Sequence, residues 1–317
     1  MENLSKSFEN SNISVMIENE SCQVLKVDGY DGDGFVTFYE VVDGIIILYN
    51  DFHMTACPTP AAGLYSDFSI EYCKEGRIEM QCDNNSNYYA EKGDLRIVSS
   101  LHGSGKCFFP LSHYHGIGIC MNKGKAQKSL KVEFPHIDID LDQISNKFLS
   151  KSTAFSVHGD PTIEIIFSQI NELPKGCHKD YFKIKIIELL LHLKNMNIDT
   201  YRVERSYFNV TQVEKIKAIE ALITSDLTKA YTCNELADKF DISLTTMKRC
   251  FKSIYGSPIY AYLKNYRINN AANLLITRRD LKVSDIAAMV GYETPSKFTA
   301  VFHDIIGETP LEYRKTH

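Results

Sequence analysis

The feature that most constrains this chain is a pattern written twice in its last hundred residues. Leu236-Ala237-x-x-Phe240-Asp241-Ile242 recurs as Ile286-Ala287-x-x-Val290-Gly291-Tyr292, and Phe251-x4-Gly256-Ser257-Pro258 recurs as Phe302-x4-Gly307-x-Thr309-Pro310. The offset is 50 residues between the alanines and 51 between the phenylalanines, so one supersecondary unit is used twice. In each copy a small residue, Ala237 or Ala287, allows two helices to approach closely. Four positions later stands a residue that tolerates positive φ: aspartate in the first copy, glycine in the second. Met247 and Phe251, or Phe298 and Phe302, then anchor a second helix on the first and leave its opposite face free. That is the grammar of a helix-turn-helix.

Helix boundaries agree with this reading. Thr232-x-x-Glu235 and Thr309-x-x-Glu312 have the form of capping boxes, the latter with Pro310 at the first helical position. Ser243 and Thr294-Pro295 are expected to open the two second helices, and Gly256 and Gly307 to close them. The two units are expected at about 233–255 and 284–306. Between them, Pro258–Ile276 is an apolar-periodic stretch of 19 residues. As a helix it spans roughly 28 Å, which with its loops can set two reading helices about one turn of B-DNA (~34 Å) apart.

The free faces carry groups suited to DNA. Thr245, Lys248, Arg249 and Lys252 share one face of the first reading helix, with Thr246 flanking as a backbone contact. Ser296, Lys297 and Ala300 occupy the equivalent face of the second, with Pro295 beside them. Lys248 or Arg249 can donate to guanine O6 and N7, while Thr245 and Ala300 suit a thymine methyl. Charge has the matching sign: Glu204–His317 holds 16 Lys and Arg against 13 Asp and Glu, whereas the rest holds 19 against 27. An all-α bundle for protein contacts would show the same repeat without requiring these exposed cations.

The remaining chain is of a different kind. A length of 317 residues suggests two domains, each with its own core. Residues 13–137 read as β-rich: Phe35–Val42 and Gly44–Tyr49 around Asp43-Gly44, Phe68–Cys73 and Arg77–Cys82 as a hairpin around Lys74-Glu75-Gly76, then Leu95–Val98 and Tyr114–Met121. Gly93-Asp94 fits a further turn. Strands at this spacing suggest a barrel or a sandwich. Pro161–Leu173 and Tyr181–Met196 have helical apolar spacing, and the broad stripe of the second, Phe182, Ile186, Leu189, Leu190 and Leu193, suits packing within the domain or across a dimer. The expected division is 1–155 as a β-rich sensor domain, 156–200 as a helical packing or dimerisation segment, 201–210 as a linker and 211–317 as the DNA-binding domain. With 44% hydrophobic and 24% charged residues, no run near the ~18 apolar residues of a membrane helix and no signal-like start, a cytoplasmic protein without membrane contact is expected. The nine cysteines are scattered without a Cys-x-x-Cys, so free thiols are expected rather than disulfides or a zinc framework.

The segment Thr211–Arg314 resembles the DNA-binding domain of the AraC/XylS family of bacterial regulators. The resemblance rests on Val283-Ser284-Asp285-Ile286-Ala287, Val290-Gly291-Tyr292, Phe298, Phe302, Gly307, Thr309-Pro310 and Tyr313-Arg314. It implies an α+β two-domain chain: an N-terminal cupin-like barrel with a helical pair, and a C-terminal all-α domain with two helix-turn-helix units joined by a long helix. Asp241 stands where the family frequently has glycine, and Ala300 and His303-Asp304 where it often has basic residues. The second unit is therefore expected to hold DNA more weakly. The implied function is transcription regulation, with double-stranded DNA, a small-molecule effector and a second copy of the chain as partners and RNA polymerase as a further candidate.

For the effector, a small and partly apolar molecule, Phe68, Tyr72, Phe109, His113 and Tyr114 are the candidate lining residues. His113-x-His115, with His53, is the one cluster that suggests a metal, but Gly116–Met121 supplies no carboxylate after it, so no metal and no cofactor is expected. No Ser/His/Asp set, phosphate-cradling loop or helical His-Glu-x-x-His is present, so an enzyme is not expected. Control by a protein partner is the alternative reading, and a metal-dependent cupin-type enzyme a more distant one.

Overall fold

The structure, a computed structural model, describes residues 12–18, 22–57, 66–81, 86–99, 107–150, 154–172, 178–201 and 208–317. It divides into two compact units, Met1–Tyr207 and Phe208–His317. Most of the polar linker expected at 201–210 lies outside the described residues. No described helix is long and apolar enough to cross a membrane.

The first unit is a curled antiparallel sheet with helices on one face. Its strands are β1 (Ile13–Glu18), β2 (Gln23–Asp28), β3 (Asp33–Val42), β4 (Ile45–His53), β5 (Ala56–Cys57), β6 (Phe68–Gln81), β7 (Ser86–Glu91), β8 (Asp94–Ser99), β9 (Cys107–Phe108), β10 (Tyr114–Met121) and β11 (Ala154–His158). The main path runs β1-β2-β3-β4-β10-β6-β7, with β8 joining β6 to β11 and β9 joining β6 to β5. The turn at Asp43-Gly44 joins β3 to β4, with Val42 opposite Ile45.

One expectation is overturned. Lys74-Glu75-Gly76 is not a hairpin turn but the bend of one 14-residue strand, β6. Along β10 the partner changes from Glu75 to Cys73 between His115 and Gly116, so Lys74 is an extra residue in the ladder. Such a bulge bends a strand and strengthens its twist. Gly76, at φ +78°, permits the bend, because a Cβ there would lie 2.2 Å from the His113 carbonyl oxygen. The first half of β6 pairs with β10 and β8, and the second half with β7 and β9. A glycine after two charged residues has the composition of a turn; only the distant partners make it a bulge.

Side-chain alternation assigns the sheet's two faces to two cores. Ile47, Phe68, Ile70, Tyr72, Ile117 and Ile119 pack against helices α1 (Lys123–Glu133), α2 (Leu141–Leu149), α3 (Pro161–Asn171) and α4 (His178–Asn195). Leu25, Val36, Phe38, Leu48, Phe52, Phe109 and Tyr114 form the second core on the other face. Helices α1 and α2 fall in the segment expected to be β-rich. Asn122 and Asp140 start them, their side chains accepting from the Lys125 and Gln143 amides at 3.1 and 3.0 Å. The helical segment expected from residue 156 begins at Pro161, because Ala154–His158 is a strand paired with β8. The α4 stripe is spent inside the unit: Phe182, Ile186, Leu189, Leu190 and Leu193 all lie in the first core. Of the two roles expected of the stripe, packing within the domain or across a dimer, these five residues take the first. None of the seven described cysteines is in a disulfide.

After the two-residue strand Phe208–Asn209, the second unit is helical: α5 (Val210–Ser225), α6 (Cys233–Lys239), α7 (Leu244–Tyr255), α8 (Ile259–Thr277), α9 (Val283–Met289), α10 (Pro295–Ile306) and α11 (Pro310–Thr316). Helix α8 runs through its middle and buries Ile268, Ala271, Ala272 and Leu275 against Ile286, Ala287, Val290, Phe298 and Phe302. At its other end Tyr262 stacks among Phe251, Tyr255 and Tyr266, and its hydroxyl donates to Glu220 Oε1 at 2.9 Å.

Candidate nucleic-acid interface

The two repeats fold alike, down to one hydrogen bond. In the first, α6 ends at the turn Phe240–Ser243, and the Ile242 amide donates to the Ala237 carbonyl at 3.1 Å. In the second, α9 ends at Val290, and the Tyr292 amide donates to the Ala287 carbonyl at 2.9 Å. Both turns use positive φ, +47° at Asp241 and +80° at Gly291. Ala237 and Ala287 are buried, as are Met247 and Phe251 in the first unit and Phe298 and Phe302 in the second. These contacts fix how far α7 and α10 stand from α6 and α9, and hence which of their faces is free.

Capping fixes where the helices begin. The Thr232 amide donates to Glu235 Oε2 at 2.7 Å while the Glu235 amide donates to Thr232 Oγ1 at 3.2 Å. Thr309 and Glu312 repeat this at 2.9 and 3.3 Å before α11. These bonds to backbone and hydroxyl hold both glutamates below the usual carboxylate range. Ser243 opens α7 by accepting from the Thr246 amide at 3.2 Å. Thr294 occupies the corresponding place before α10 but makes no side-chain cap, and Pro295 supplies the helix start instead. Gly256 and Gly307 close α7 and α10 in the left-handed conformation, at φ +79° and +90°.

Eight of the nine residues expected to meet DNA lie as two groups on the free faces. Thr245, Lys248, Arg249 and Lys252 are exposed on α7, and Pro295, Ser296, Lys297 and Ala300 on α10. Thr246 is half-buried, and its hydroxyl bonds Ser243 Oγ at 2.8 Å, so it belongs to the cap. The Arg249 guanidinium lies over the Phe208 ring, 5.6 Å from its centroid, a contact that sequence reading missed. His303 and Asp304 are exposed further along α10, with Asp304 3.8 Å from Lys264 of α8. Helix α8 has 19 residues, a length of about 28 Å.

The five residues expected to line an effector cavity are not brought together. Phe68 and Tyr72 lie in the first core, where Tyr72 stacks on Phe167 at 4.6 Å. Phe109 and Tyr114 lie in the second and stack at 5.4 Å. His113 joins neither; its Nδ1 is 3.1 Å from the Leu111 carbonyl oxygen. Alternation would have separated Phe68 and Tyr72 from the other aromatics had the bulge at Lys74 been legible. Sequence reading also missed Glu71 and Arg96, 3.5 Å apart and near Tyr114, whose hydroxyl burial holds well above its ordinary acidity range.

Two helix-turn-helix units with matched turns, a shared central helix and cations on both outer faces define a double helix-turn-helix DNA-binding domain. A family model described as a helix-turn-helix domain matches residues 236–316. The HTH-type transcriptional activator RhaR of Pectobacterium atrosepticum is 23% identical over 159 residues, 50% of this chain and 55% of that protein. The transcriptional regulator SirC of Salmonella typhimurium is 36% identical over 107 residues, 34% of this chain and 35% of its own. The second unit is an AraC-type helix-turn-helix domain. The chain spans about half the length of the first relatives it matches, 55% for RhaR. A crystal structure of unsaturated fatty acid bound ToxT from Vibrio cholerae covers 87% of this chain and 96% of its own at 16% identity, with a TM-score of 0.33. A superposition at that level aligns neither sites nor ligands.

Proposed function

We propose that the chain is a sequence-specific transcription regulator that reads promoter DNA with α7 and α10 in successive major grooves. The observation that carries this is the duplicated turn, which exposes Lys248, Arg249 and Lys252 on one reading helix and Lys297 on the other. A bundle made for protein contacts has no need of two equally constructed faces. The transcriptional relatives support the reading. The test is repeated selection from random duplexes with the full-length protein at low salt. Enrichment of a site with two half-sites about one helical turn apart is the expected result; a pool that stays random refutes it.

Control by a small molecule bound in the first unit completes the proposal. Tyr114 and Phe109 supply aromatic surface beside Glu71 and Arg96, and Arg96 Nε is buried without a hydrogen-bond partner among the described residues. A few convergent polar groups against an apolar wall are what a ligand site requires. An Arg96→Ala protein that stays folded and keeps its DNA affinity should lose its response to cell extract or to a purified effector. An unchanged response places the effector elsewhere.

A further inference from the structure

Three strands of the first unit bring two imidazoles and two carboxylates to one spot. Asp51 and His53 are two apart at the end of β4 and share a face. His115, near the start of β10, stands opposite Asp51 on one side and Glu75 of β6 on the other. The second pairing depends on the bulge at Lys74, which re-aims the strand just there.

The donor atoms converge. Asp51 Oδ1 is 2.9 Å from His53 Nε2 and 3.0 Å from His115 Nε2, and one atom from each of the three residues falls within 4.8 Å of the others. Zinc–ligand distances of about 2.0–2.1 Å put neighbouring donors of a tetrahedron roughly 3.3 Å apart, so small shifts would admit an ion. His115 Nε2 is buried and, close as it is to Asp51, makes no hydrogen bond to any described residue. A buried imidazole nitrogen left so is costly, and a cation between the three donors would satisfy it. The other nitrogen, Nδ1, lies 3.3 Å from Glu75 Oε2. A carboxylate on the far nitrogen is how metal-binding histidines are oriented and their tautomer fixed.

We propose that Asp51, His53 and His115 bind a divalent transition-metal ion of the zinc class, with Glu75 orienting His115. Two imidazoles and one carboxylate suit such an ion, whereas magnesium and calcium select all-oxygen sites. The site has three protein ligands and an open position. His53 and Asp51 side chains are 60% and 54% exposed and His115 29%, so the ion exchanges with solvent. His113 is excluded, because its ring is 6.2 Å from that of His115 and its Nδ1 faces Leu111. Among the described residues no other cluster of this composition occurs. Sequence reading expected no metal for want of a carboxylate along β10; the carboxylates arrive across the sheet instead.

The experiment is a zinc titration of chelator-treated full-length protein against a chromophoric competitor, with cobalt(II) as a spectroscopic probe. One ion per chain should bind, and the cobalt spectrum should lack thiolate charge-transfer bands despite the nine cysteines of the chain. His53→Gln and Asp51→Asn alter exposed side chains and should weaken zinc binding at least about tenfold without changing the circular dichroism spectrum. Glu75→Gln keeps all three ligands and should weaken it by about 10–100-fold, while His136→Gln should have no effect. Unchanged affinity in both His53→Gln and Asp51→Asn, thiolate bands with cobalt, or no uptake at micromolar zinc overturns the proposal.

Discussion

Replacing Gly291 with alanine tests whether the second turn is as constrained as its geometry implies. Gly291 has φ +80°, and a Cβ there would sit 2.0 Å from the Leu227 carbonyl oxygen and 3.0 Å from the Arg267 guanidinium. Neither neighbour can give way cheaply, because Arg267 Nη2 donates to that same carbonyl at 2.6 Å. The left-handed conformation alone costs a non-glycine residue about 1–2 kcal/mol. Displacing packed backbone costs typically a further ~1–3 kcal/mol. Together these predict a loss of about 2–5 kcal/mol, a large share of the ~5–15 kcal/mol that holds a domain together. Asp241 is the internal control: it has the same place in the first copy at φ +47° and already carries a Cβ. Asp241→Ala should cost less than about 1 kcal/mol. The readout is amide exchange of Tyr292 and Phe298 in the full-length protein, whose slowest opening reports the stability of this unit. A 2 kcal/mol loss accelerates exchange about thirty-fold, and Gly291→Ala should do at least that. Exchange within a factor of about three of the parent, or equal acceleration in Asp241→Ala, refutes the argument.

Three more outcomes are expected. Arg249→Ala should relax preference at one base position by about 1–3 kcal/mol, whereas Lys252→Ala should weaken all sequences alike; binding to single-base-substituted sites distinguishes them, and an unchanged profile for Arg249→Ala removes it as a base reader. Thr309→Ala removes a two-way cap and should cost the second unit about 1 kcal/mol, measured by amide exchange in α11. Burial raises the Glu220 carboxyl above its usual range despite the bond from Tyr262. A raised folded-state value favours the protonated form, so its cost is absent below the ordinary carboxylate pKa and grows as pH rises through the raised one. Glu220→Gln, which keeps an acceptor for Tyr262, should therefore gain thermal stability over the parent at neutral pH and lose that advantage in acid; a pH-independent difference contradicts this.

What was legible in the sequence was what neighbouring residues decide among themselves. Caps at Thr232, Ser243 and Thr309, the left-handed closures at Gly256 and Gly307, and the buried pair Phe298 and Phe302 are local matters with helical spacing. They fixed the second unit almost residue by residue. The first unit was harder because a sheet is decided by partners far along the chain. Lys74-Glu75-Gly76 has a turn's composition, yet pairing with β10 up to Gly76 and with β7 from Arg77 keeps one strand running through the bend. That single misreading placed Tyr72 in a cavity with Tyr114, when it stacks on Phe167 of a helix. It also hid Glu75 from His115. The contact between Arg249 and Phe208 was invisible for another reason: 41 positions separate them, and no periodicity links a residue before α5 to one on α7.

The two reading helices are built alike but charged unequally, and this shapes how the unit would sit on DNA. Helix α7 presents Lys248, Arg249 and Lys252 with no acidic residue in its own span, whereas α10 presents Lys297 and, two turns on, Asp304. Each neutralised phosphate adds roughly 0.9 to the slope of affinity against salt, so most of the electrostatic attraction resides with α7. Lys264, 3.8 Å from Asp304, offsets part of the repulsion at the other end without supplying a phosphate contact there. Since α8 packs on the first helix-turn-helix through Tyr262 against Phe251 and Tyr255, and on the second through Ile268, Ala271 and Leu275, the two cannot choose their spacing independently. On the proposed reading, once α7 is seated the position of α10 would be largely determined, and its Ser296 and Ala300 would need only to fit the groove presented to them. A second helix whose Lys297 and Asp304 offset each other would then be a gain in discrimination: it would add little to binding anywhere on DNA, but would penalise sites whose second half has the wrong shape.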